Sequence, residues 1–265
     1  MSEITKVLVD LQTRNIIHVI KYRKNYRTGL VIPVYSLSVE LYKKDTLDID
    51  SLLAGVTSER LVEYPFLVRN LVSPHIDAKI LDIGAGESDL TKTISKFGYK
   101  KWRVIGIDIA KLTEKLDLLS LARMDARVIG FRDEVFDQII CISTLEHIGV
   151  PSEAYGITEE NDEVGDMRTM SEIHRVLKKG GNVIVTLPYG TRSIRKQEHR
   201  VYDSSALTNL TSAFSVIKEE YYGYYKGKWK KYNTQSAADK MINIKEIPSH
   251  FHSCVCVCVL LQKDL

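Results

Sequence analysis

The sequence of 265 residues contains few cysteines, and their spacing excludes the usual cysteine chemistry. Of its 4 cysteines, Cys254, Cys256 and Cys258 alternate with valines, which places them on one face of a strand. Common metal sites use Cys-x-x-Cys spacing instead, and residues two apart on one strand have poor disulfide geometry. Because free cysteine packs like a small apolar side chain, we expect neither a zinc site nor a disulfide.

Long apolar segments are also missing. The longest purely apolar stretch near the C-terminus, from Cys254 to Leu261, is far shorter than the roughly 20 residues of a membrane-spanning helix. The first residues include an early acidic side chain and lack the apolar core of a signal peptide. We therefore expect a cytoplasmic protein without a membrane partner.

Charge of one sign does not dominate. The 37 Lys and Arg residues nearly balance the 34 Asp and Glu residues, for a formal net charge of +3. Nucleic-acid binding usually exploits a strong basic field, so nucleic acid is not an expected partner. The basic segment Lys21–Arg27 is interleaved with tyrosines, but one such cluster in a near-neutral chain is typical of a solvated surface.

What the sequence has is a regular alternation of strand-like and helix-like segments from about Ala78 onward. Strand-like segments are AKILDIG, WRVIGIDI, FDQIICIS and NVIVTLP, and TMSEIHRVLKKGG is among the helix-like ones. This alternation predicts an α/β fold with parallel strands and right-handed crossovers. Two later strand-like segments, AFSVIKEEYYGYY and SCVCVCVLLQK, predict an antiparallel C-terminal edge.

The alternation also predicts the domain organisation. Residues 1–73 form an N-terminal extension with a helix-like start and extended segments, a candidate lid or oligomerisation segment, and residues 74–265 form the main domain. The aromatic and lysine-rich segment Tyr221–Tyr232 is interpreted as an edge strand protected by lysines. A wall of an acceptor pocket is the alternative for this segment.

The strongest local signal is the segment Leu81–Ser88, in which a strand runs into a glycine turn and then a helix. Its Asp82, Gly84, Ala85 and Gly86 lie where a backbone without Cβ atoms can approach a ligand. The following helix offers unsatisfied N–H groups. Two glycines alone also fit a tight packing bend, so the interpretation needs further support.

Acidic residues at later strand ends give that support. Asp108 ends the next strand, 22 residues after Gly86, close to the ~20 expected for an acid that binds ribose hydroxyls. Asp125 precedes the strand from Phe136 to Ser143, where its carboxylate could accept from an adenine amine. A lone Asp is more often a surface residue or a helix cap, but ligands of open α/β sheets collect at the carboxyl ends of successive strands.

Taken together, several segments resemble the class I S-adenosylmethionine (SAM)-dependent methyltransferases. The resemblance extends from about Glu63 to Lys263 and is carried by ILDIGAGES, VIGIDIA, MDARVIGF, FDQIICISTLEHIG, EIHRVLKKGGNVIVTLPYG and EHRVYDSSAL. It implies a Rossmann-like, seven-stranded mixed sheet, mostly parallel with an antiparallel C-terminal edge and with helices on both faces. It also implies SAM as the cofactor.

The resemblance assigns roles to matching residues. The turn of Asp82, Gly84 and Gly86 would hold the methionine part of SAM, Asp108 the ribose and Asp125 the adenine, with Ser143–His147 below the sulfonium. The predicted cofactor-binding residues are Asp82, Gly84, Ala85, Gly86, Asp108, Ile109, Asp125, Ala126, Ser143 and Thr144. Ser88 stands where the usual third glycine would be.

A dinucleotide is the rival ligand for such a turn. Its pyrophosphate would meet Glu87 and Asp89 at the start of the following helix, where two carboxylates repel an anion and suit a cationic sulfonium. The sequence therefore favours SAM over NAD.

Methyl transfer needs mainly alignment of the reacting groups, and a base only where the acceptor starts protonated. His147, with Glu146 beside it, is the candidate base, although His147 could instead orient its loop. Loops at the same edge usually carry function and supply the predicted acceptor contacts, which are Tyr155, Tyr189, His199, Arg200 and Tyr202.

The predicted reaction is methyl transfer to an O or N atom of a small or medium polar acceptor, such as a glycan or metabolite precursor. No metal is expected, and a homodimer is a candidate assembly. The alternative function is a catalytically silent regulatory module that keeps the SAM pocket.

Overall fold

The fold is known from a computed structural model. It describes residues 2–9, 16–24, 31–40, 59–72, 77–86, 94, 101–109, 121–151, 161–195, 199–225, 228–232, 235–241 and 255–265. The chain divides into two compact units, one of residues 1–71 and 224–230 and one of residues 72–223 and 231–265. The division after residue 71 lies close to the boundary predicted at residue 73.

The smaller unit begins with three strands rather than with the predicted helix. Strands β1 (Ser2–Val9), β2 (Ile16–Lys24) and β3 (Val31–Glu40) form an antiparallel sheet in that order. The expectation of a helical start was wrong because β1 is rich in β-branched residues, which favour a strand. Helix α1 (Arg60–Asn70) follows.

The larger sheet has eight strands in the order β12-β11-β13-β8-β7-β4-β5-β6. These are β4 (Ala78–Ile83), β5 (Trp102–Asp108), β6 (Leu121–Arg123), β7 (Phe136–Ile142), β8 (Leu177–Tyr189), β11 (Ser215–Tyr225), β12 (Lys228–Tyr232) and β13 (Val255–Gln262). Strands β4 to β8 pair in parallel, and β13 pairs antiparallel with β8 and β11. This confirms the α/β fold with its antiparallel C-terminal edge.

The expected count of seven strands was wrong by one. The additional strand is β12, at the outer edge of the sheet beside β11. Its sequence, KWKKY, combines aromatic residues, which favour strands, with lysines, which discourage pairing of an exposed edge with other chains. The interpretation of Tyr221–Tyr232 as a lysine-protected edge holds for Lys228–Tyr232, whereas Tyr221–Tyr225 lies in β11, inside the sheet.

Helices α2 (Gly165–Val176), α3 (Ser204–Thr211) and α4 (Gln235–Met241) belong to the larger unit. Helix α2 ends five residues before the end of the predicted helical segment TMSEIHRVLKKGG, and the residues LKKGG begin β8 instead. The glycines explain this difference, because Gly180 has a φ of +71° and its N–H donates to the Lys263 carbonyl. A short hairpin of β9 (Ser193–Arg195) and β10 (His199–Val201) precedes α3.

The core of the larger unit lies on both faces of its central strands. Ile139 and Ile140, neighbours in β7 that point to opposite faces, are both fully buried, as expected for a strand covered by helices on both sides. Cys256 and Cys258 are buried on one face of β13, where they pack as apolar residues. Among the described residues, no helix is long and apolar enough to span a membrane.

Replacing a core isoleucine tests this packing. Ile139→Ala should lower the free energy of unfolding by about 3 kcal/mol, because it leaves a cavity in a closely packed core. The matched control is Ile217→Ala in β11, where the side chain is 53% exposed and the loss should stay below about 0.5 kcal/mol. Urea unfolding measures both losses, and equal losses would contradict the described core.

Candidate functional site

The parallel strands end together at one side of the sheet, here called the carboxyl edge, which comprises their last residues and the turns that follow. Ile83 of β4 pairs with Ile107 of β5 and with Cys141 of β7. Segments separated by more than 20 residues in sequence are thereby brought side by side, and most of the predicted site residues follow these strand ends.

The turn after β4 can be made only with glycine at its first position. Gly84 has a φ of +83°, and the N–H groups of Gly84 and Ala85 donate to the Ile107 carbonyl at 2.9 and 3.1 Å. A Cβ on Gly84 would lie 2.1 Å from Oγ1 of Thr144 in the turn after β7. The glycine turn is therefore pressed against both neighbouring strand ends.

Gly86 and Asp108 form the second close contact of the carboxyl edge. The Gly86 N–H donates to Oδ2 of Asp108 at 2.8 Å, and a Cβ on Gly86 would lie 2.8 Å from the Asp108 carboxyl carbon. The structure thus brings together the predicted methionine-binding turn and the predicted ribose acid. Ile109 follows directly, and Asp82 is buried in β4.

Asp125 already has a cationic partner. Its carboxylate accepts bonds from the Arg127 guanidinium at 2.8 to 3.1 Å and from the Arg127 backbone N–H at 2.8 Å. Burial opposes ionisation, but the hydrogen bonds and charge of Arg127 outweigh it and lower the pKa of Asp125. Arg127 therefore holds the predicted adenine acid as an oriented, ionised carboxylate, and Ala126 beside it is buried.

The turn after β7 is strained at its first residue. Ser143 has a φ of +43°, a conformation that side-chain-bearing residues seldom adopt, and its N–H donates to Oγ1 of Thr186 at 3.0 Å. Thr144 donates from its own hydroxyl to the Ile142 carbonyl at 3.0 Å. A single 3-10 turn, Leu145–His147, completes the segment.

The predicted base lies on this turn, next to a buried carboxyl group. Nε2 of His147 is 3.9 Å from Oε1 of Glu146, whose side chain is fully buried while that of His147 is 13% exposed. The ring centroids of His199 in β10 and His147 are 5.9 Å apart, and the two rings are arranged edge to face. Burial, Glu146 and Asp82 together raise the pKa of the Cys141 thiol, so this cysteine stays protonated and is no nucleophile.

The other predicted acceptor contacts are described except for Tyr155, which lies outside the described residues. Tyr189 is buried, and its hydroxyl donates to Asp239 at 2.7 Å. Burial and this bond raise the pKa of Tyr189 to about 12. Tyr202 donates to Oδ2 of Asp166 at 2.9 Å, and burial with the nearby Asp166 carboxylate raises its pKa too.

Arg200, the last of these, is buried and donates to backbone carbonyls of the protein itself. Tyr189, Arg200 and Tyr202 thus bind protein groups in this structure, and their role in acceptor binding stays a prediction.

Sequence reasoning missed the residues that join these parts. The Asp162 carboxylate accepts from both Arg127 and Arg168 at 3.3 Å, and Asp166 binds Tyr202 and lies 3.8 Å from Nε of Arg200. Their only signal was a local density of acids in NDEVGD, which is typical of any helix N-terminus. The contacts of Arg127 with Asp162 and of Tyr202 with Asp166 span 35 and 36 residues and depend on the tertiary fold.

Comparison with protein families gives a match over most of the strand and helix alternation. Residues 105–246, more than half of the chain, match the model of a family described as "Caenorhabditis protein of unknown function, DUF268". That description states no activity, so it bears on ancestry alone.

Curated proteins with similar sequences are methyltransferases by name. The demethylmenaquinone methyltransferase of Staphylococcus saprophyticus is 26% identical over 62% of this chain and 65% of its own length. The ubiquinone/menaquinone biosynthesis C-methyltransferase of Wigglesworthia glossinidia brevipalpis is 23% identical over 69% of each chain. The chain spans just under two thirds of the length of the first curated relatives that it matches.

Solved structures support the fold. A SAM-dependent methyltransferase of Methanosarcina mazei is 16% identical with a TM-score of 0.50, over 75% of this chain and 97% of its own. The [4+2]-cyclase SpnF is 14% identical with a TM-score of 0.51, over 80% of this chain and 84% of its own. The predicted resemblance to class I SAM-dependent methyltransferases is therefore confirmed at the level of the fold.

The close approach at Gly84 is testable by a pair of glycine substitutions. Gly180 also has a positive φ, +71°, but a Cβ there would meet only the Leu265 side chain, at 3.2 Å. Gly180→Ala should cost about 1–2 kcal/mol for its backbone conformation. Gly84→Ala should cost about 1–3 kcal/mol more, because its Cβ also overlaps Thr144. Thermal or urea unfolding compares them, and equal losses would contradict the tight turn.

The pairing of Asp125 with Arg127 predicts a pH dependence. The folded pKa of Asp125 lies below its ordinary value, so its ion pair contributes stability that is fully present above the ordinary pKa and is lost as the pH falls through the folded pKa. In Arg127→Gln, the pKa of Asp125 should rise to or above the ordinary value of an aspartate, because burial remains while the cation is gone. NMR titration of the Asp125 carboxyl carbon measures both values.

The control for this titration is Arg168→Gln, which removes another arginine of the cluster without touching Asp125. It should leave the Asp125 pKa unchanged. An Asp125 pKa that is the same in wild type and in Arg127→Gln would show that Arg127 does not control its ionisation.

Proposed function

The chain belongs to the family described as "Caenorhabditis protein of unknown function, DUF268", and we propose that it is a SAM-dependent methyltransferase whose transferase domain comprises residues 74–265. The observation that carries the proposal is the carboxyl edge itself. There, a glycine turn without room for Cβ atoms meets Asp108 at the end of β5 and Thr144 in the turn after β7. The methyltransferase names of the curated relatives support it.

The residues present fit SAM. Gly84 and Gly86 keep the turn free of side chains where a Cβ would meet Thr144 and Asp108. Asp108 is anchored by the Gly86 N–H and would accept hydrogen bonds from the ribose hydroxyls. Asp125, whose pKa is lowered, would accept from the adenine amine. The remaining proposed contacts are Asp82, Ala85, Ile109, Ala126, Ser143 and Thr144.

In the proposed mechanism, the protein orients the acceptor and receives its proton. When bound, SAM supplies an electrophilic methyl group on a sulfonium leaving group. His147 accepts the proton of an acceptor hydroxyl or amine, and the buried Glu146 carboxyl, 3.9 Å from Nε2, orients the ring and stabilises its cationic form. His199, edge to face with His147, restricts the ring from the side of β10.

The proposed acceptor is a small or medium polar molecule that is methylated on O or N, such as a glycan or metabolite precursor. A base is useful only where an acceptor atom must lose a proton, and the placement of His147 beside a carboxyl group supports that class. Because one protein with this fold is named a [4+2]-cyclase, transfer must be shown by turnover.

Turnover and binding test the proposal together. We expect calorimetry to detect binding of SAM and S-adenosylhomocysteine but not of NAD. Release of S-adenosylhomocysteine should occur with at least one acceptor from a panel of sugars, amino sugars, phenols and amines, and release with demethylmenaquinone alone would contradict transfer to O or N. Binding without release against every class would support a silent SAM-binding module instead, and absence of SAM binding would overturn the proposal.

The matched variants are Asp108→Asn and Asp137→Asn. Asparagine at position 108 keeps an oxygen for the Gly86 N–H but loses the negative charge, so SAM affinity should fall about 10- to 100-fold, as expected for hydrogen bonds to a charged group. Asp137 lies at the start of β7, at the opposite end of the sheet, and its change should leave affinity unaltered. Equal affinities in the two variants would contradict the role of Asp108.

A further inference from the structure

We propose that Arg200 is a positioning residue that fixes the turn carrying His147, rather than a ligand of the acceptor. It acts by donating hydrogen bonds to the backbone carbonyls of Ile148 and Asp162. The inference rests on the proposed function, because it assigns Arg200 to the placement of the proposed base.

The contacts of Arg200 use its whole guanidinium group. One terminal nitrogen donates to the Ile148 carbonyl, the other donates to the Asp162 carbonyl at 2.6 Å, and Nε lies 3.8 Å from Oδ2 of Asp166. The side chain is only 9% exposed, so these bonds form largely out of contact with water. Buried carbonyls that lose such donors are costly to leave unsatisfied.

The first of these carbonyls belongs to the residue directly after His147. The Ile148 N–H donates to the Leu145 carbonyl at 3.3 Å, and the Val150 N–H donates to the His147 carbonyl at 3.0 Å. The peptide group held by Arg200 is therefore the central one of the β-turn His147–Val150, which directly follows the 3-10 turn. Holding this peptide group fixes the conformation of the chain that leaves His147.

The second carbonyl holds this turn against a separate part of the chain. The Asp162 N–H donates to the Gly149 carbonyl at 2.8 Å, and a Cβ on Gly149 would lie 2.5 Å from the Asp162 carbonyl oxygen. Asp162 is itself bound through its carboxylate by Arg127, which also holds Asp125. Arg200 thus links the His147 turn, through Asp162, to Arg127, the residue that orients the proposed adenine-binding Asp125.

Arginine suits this role better than lysine does. Its planar fork can donate to two carbonyls at a fixed separation, whereas an ammonium group is a single point of donation. Asp166 stabilises the charge and is itself held by the Tyr202 hydroxyl. With its donors directed at the protein backbone and at Asp166, the guanidinium is oriented toward the turn and not toward a ligand.

The experiment compares three variants by amide hydrogen exchange. In Arg200→Gln, the amides of Ile148, Val150 and Asp162 should exchange about tenfold faster or more, because a charge-assisted bond is lost. Arg200→Lys should give a smaller acceleration. The matched control is Arg168→Gln, which removes a hydrogen bond to the Asp162 carboxylate but none to the two backbone carbonyls. In this variant the amides of the His147 turn should exchange as in wild type.

Amides of the central strands β7 and β8 show whether each variant remains folded, and Arg200→Lys covers the case in which Arg200→Gln does not fold. Acceleration confined to the turn supports the inference. Exchange at the turn that is the same in Arg200→Gln, Arg200→Lys and Arg168→Gln would overturn it.

A second readout separates positioning from general stability. In Arg200→Lys, SAM affinity and the KM for SAM should match those of wild type. The kcat of this variant, measured with an acceptor identified by turnover, should fall about 100-fold because the base is misplaced. An unchanged kcat would overturn the inference and leave the methyltransferase proposal standing. Absence of SAM binding in wild type would overturn the proposed function, and hydrogen exchange would still report on the Arg200 contacts.

Discussion

The parallel register of β4 with its two neighbours is the constraint on which the candidate site depends. Ile83 stands opposite Ile107 on one side and Cys141 on the other, so the turns after all three strands begin at the same height. Side chains alternate between the faces of a strand, and a slip of one residue would invert them. Close packing of the side chains on both faces of β4, β5 and β7 opposes such a slip, and core packing thereby sets the geometry of the site.

The same register explains how much of the site the sequence could predict. The apolar runs ILDIG and IICIS predict strands that are covered on both faces, and an alternation of strands with helices implies parallel pairing. Residues that follow successive strand ends must then be neighbours. Gly86 and Asp108 were predicted in this way, and the structure joins them by a hydrogen bond of 2.8 Å.

Local propensity was less informative where tertiary pairing decides the conformation. The residues LKKGG continue the polar pattern of α2, but they lie in β8 because Gly180 and Gly181 bond to Lys263. At the beginning of the chain, the prediction of a helix was wrong. The apolar residues there fit a helix, but the β-branched residues fit the strand that forms. The strand count was one too low because Tyr221–Tyr232 was interpreted as one edge strand, whereas Tyr221–Tyr225 lies in β11 and Lys228–Tyr232 forms β12.

The roles of buried charges could not be predicted, because they depend on partners that lie far apart in sequence. An arginine near a proposed site is ordinarily interpreted as a ligand for a carboxylate or a phosphate. In the structure, 52 residues separate Arg200 from Ile148 and 38 separate it from Asp162. Only the folded chain shows that the donors of Arg200 are directed at the protein itself.

The distribution of ion pairs over the two ends of the sheet supports a functional meaning for the buried ones. At the amino ends of the strands, Asp137 pairs with Lys178, and both side chains are substantially exposed, so the pair contributes little to stability. At the carboxyl edge, Arg200 and Asp166 are both about nine-tenths buried. Desolvation of such a pair is costly, and well-packed apolar residues often stabilise a fold equally well.

A buried pair that contributes little net stability can still select one conformation, because any other arrangement leaves a charge or a carbonyl without a partner. The carbonyls held by Arg200 belong to the turn after β7 and to the segment before α2. Apolar side chains could fill that space, but they could not orient two peptide groups. The buried charges therefore lie at the carboxyl edge, where the chain must hold a defined loop geometry beside His147. An exposed pair suffices at the amino ends of the strands, where no such loop has to be held.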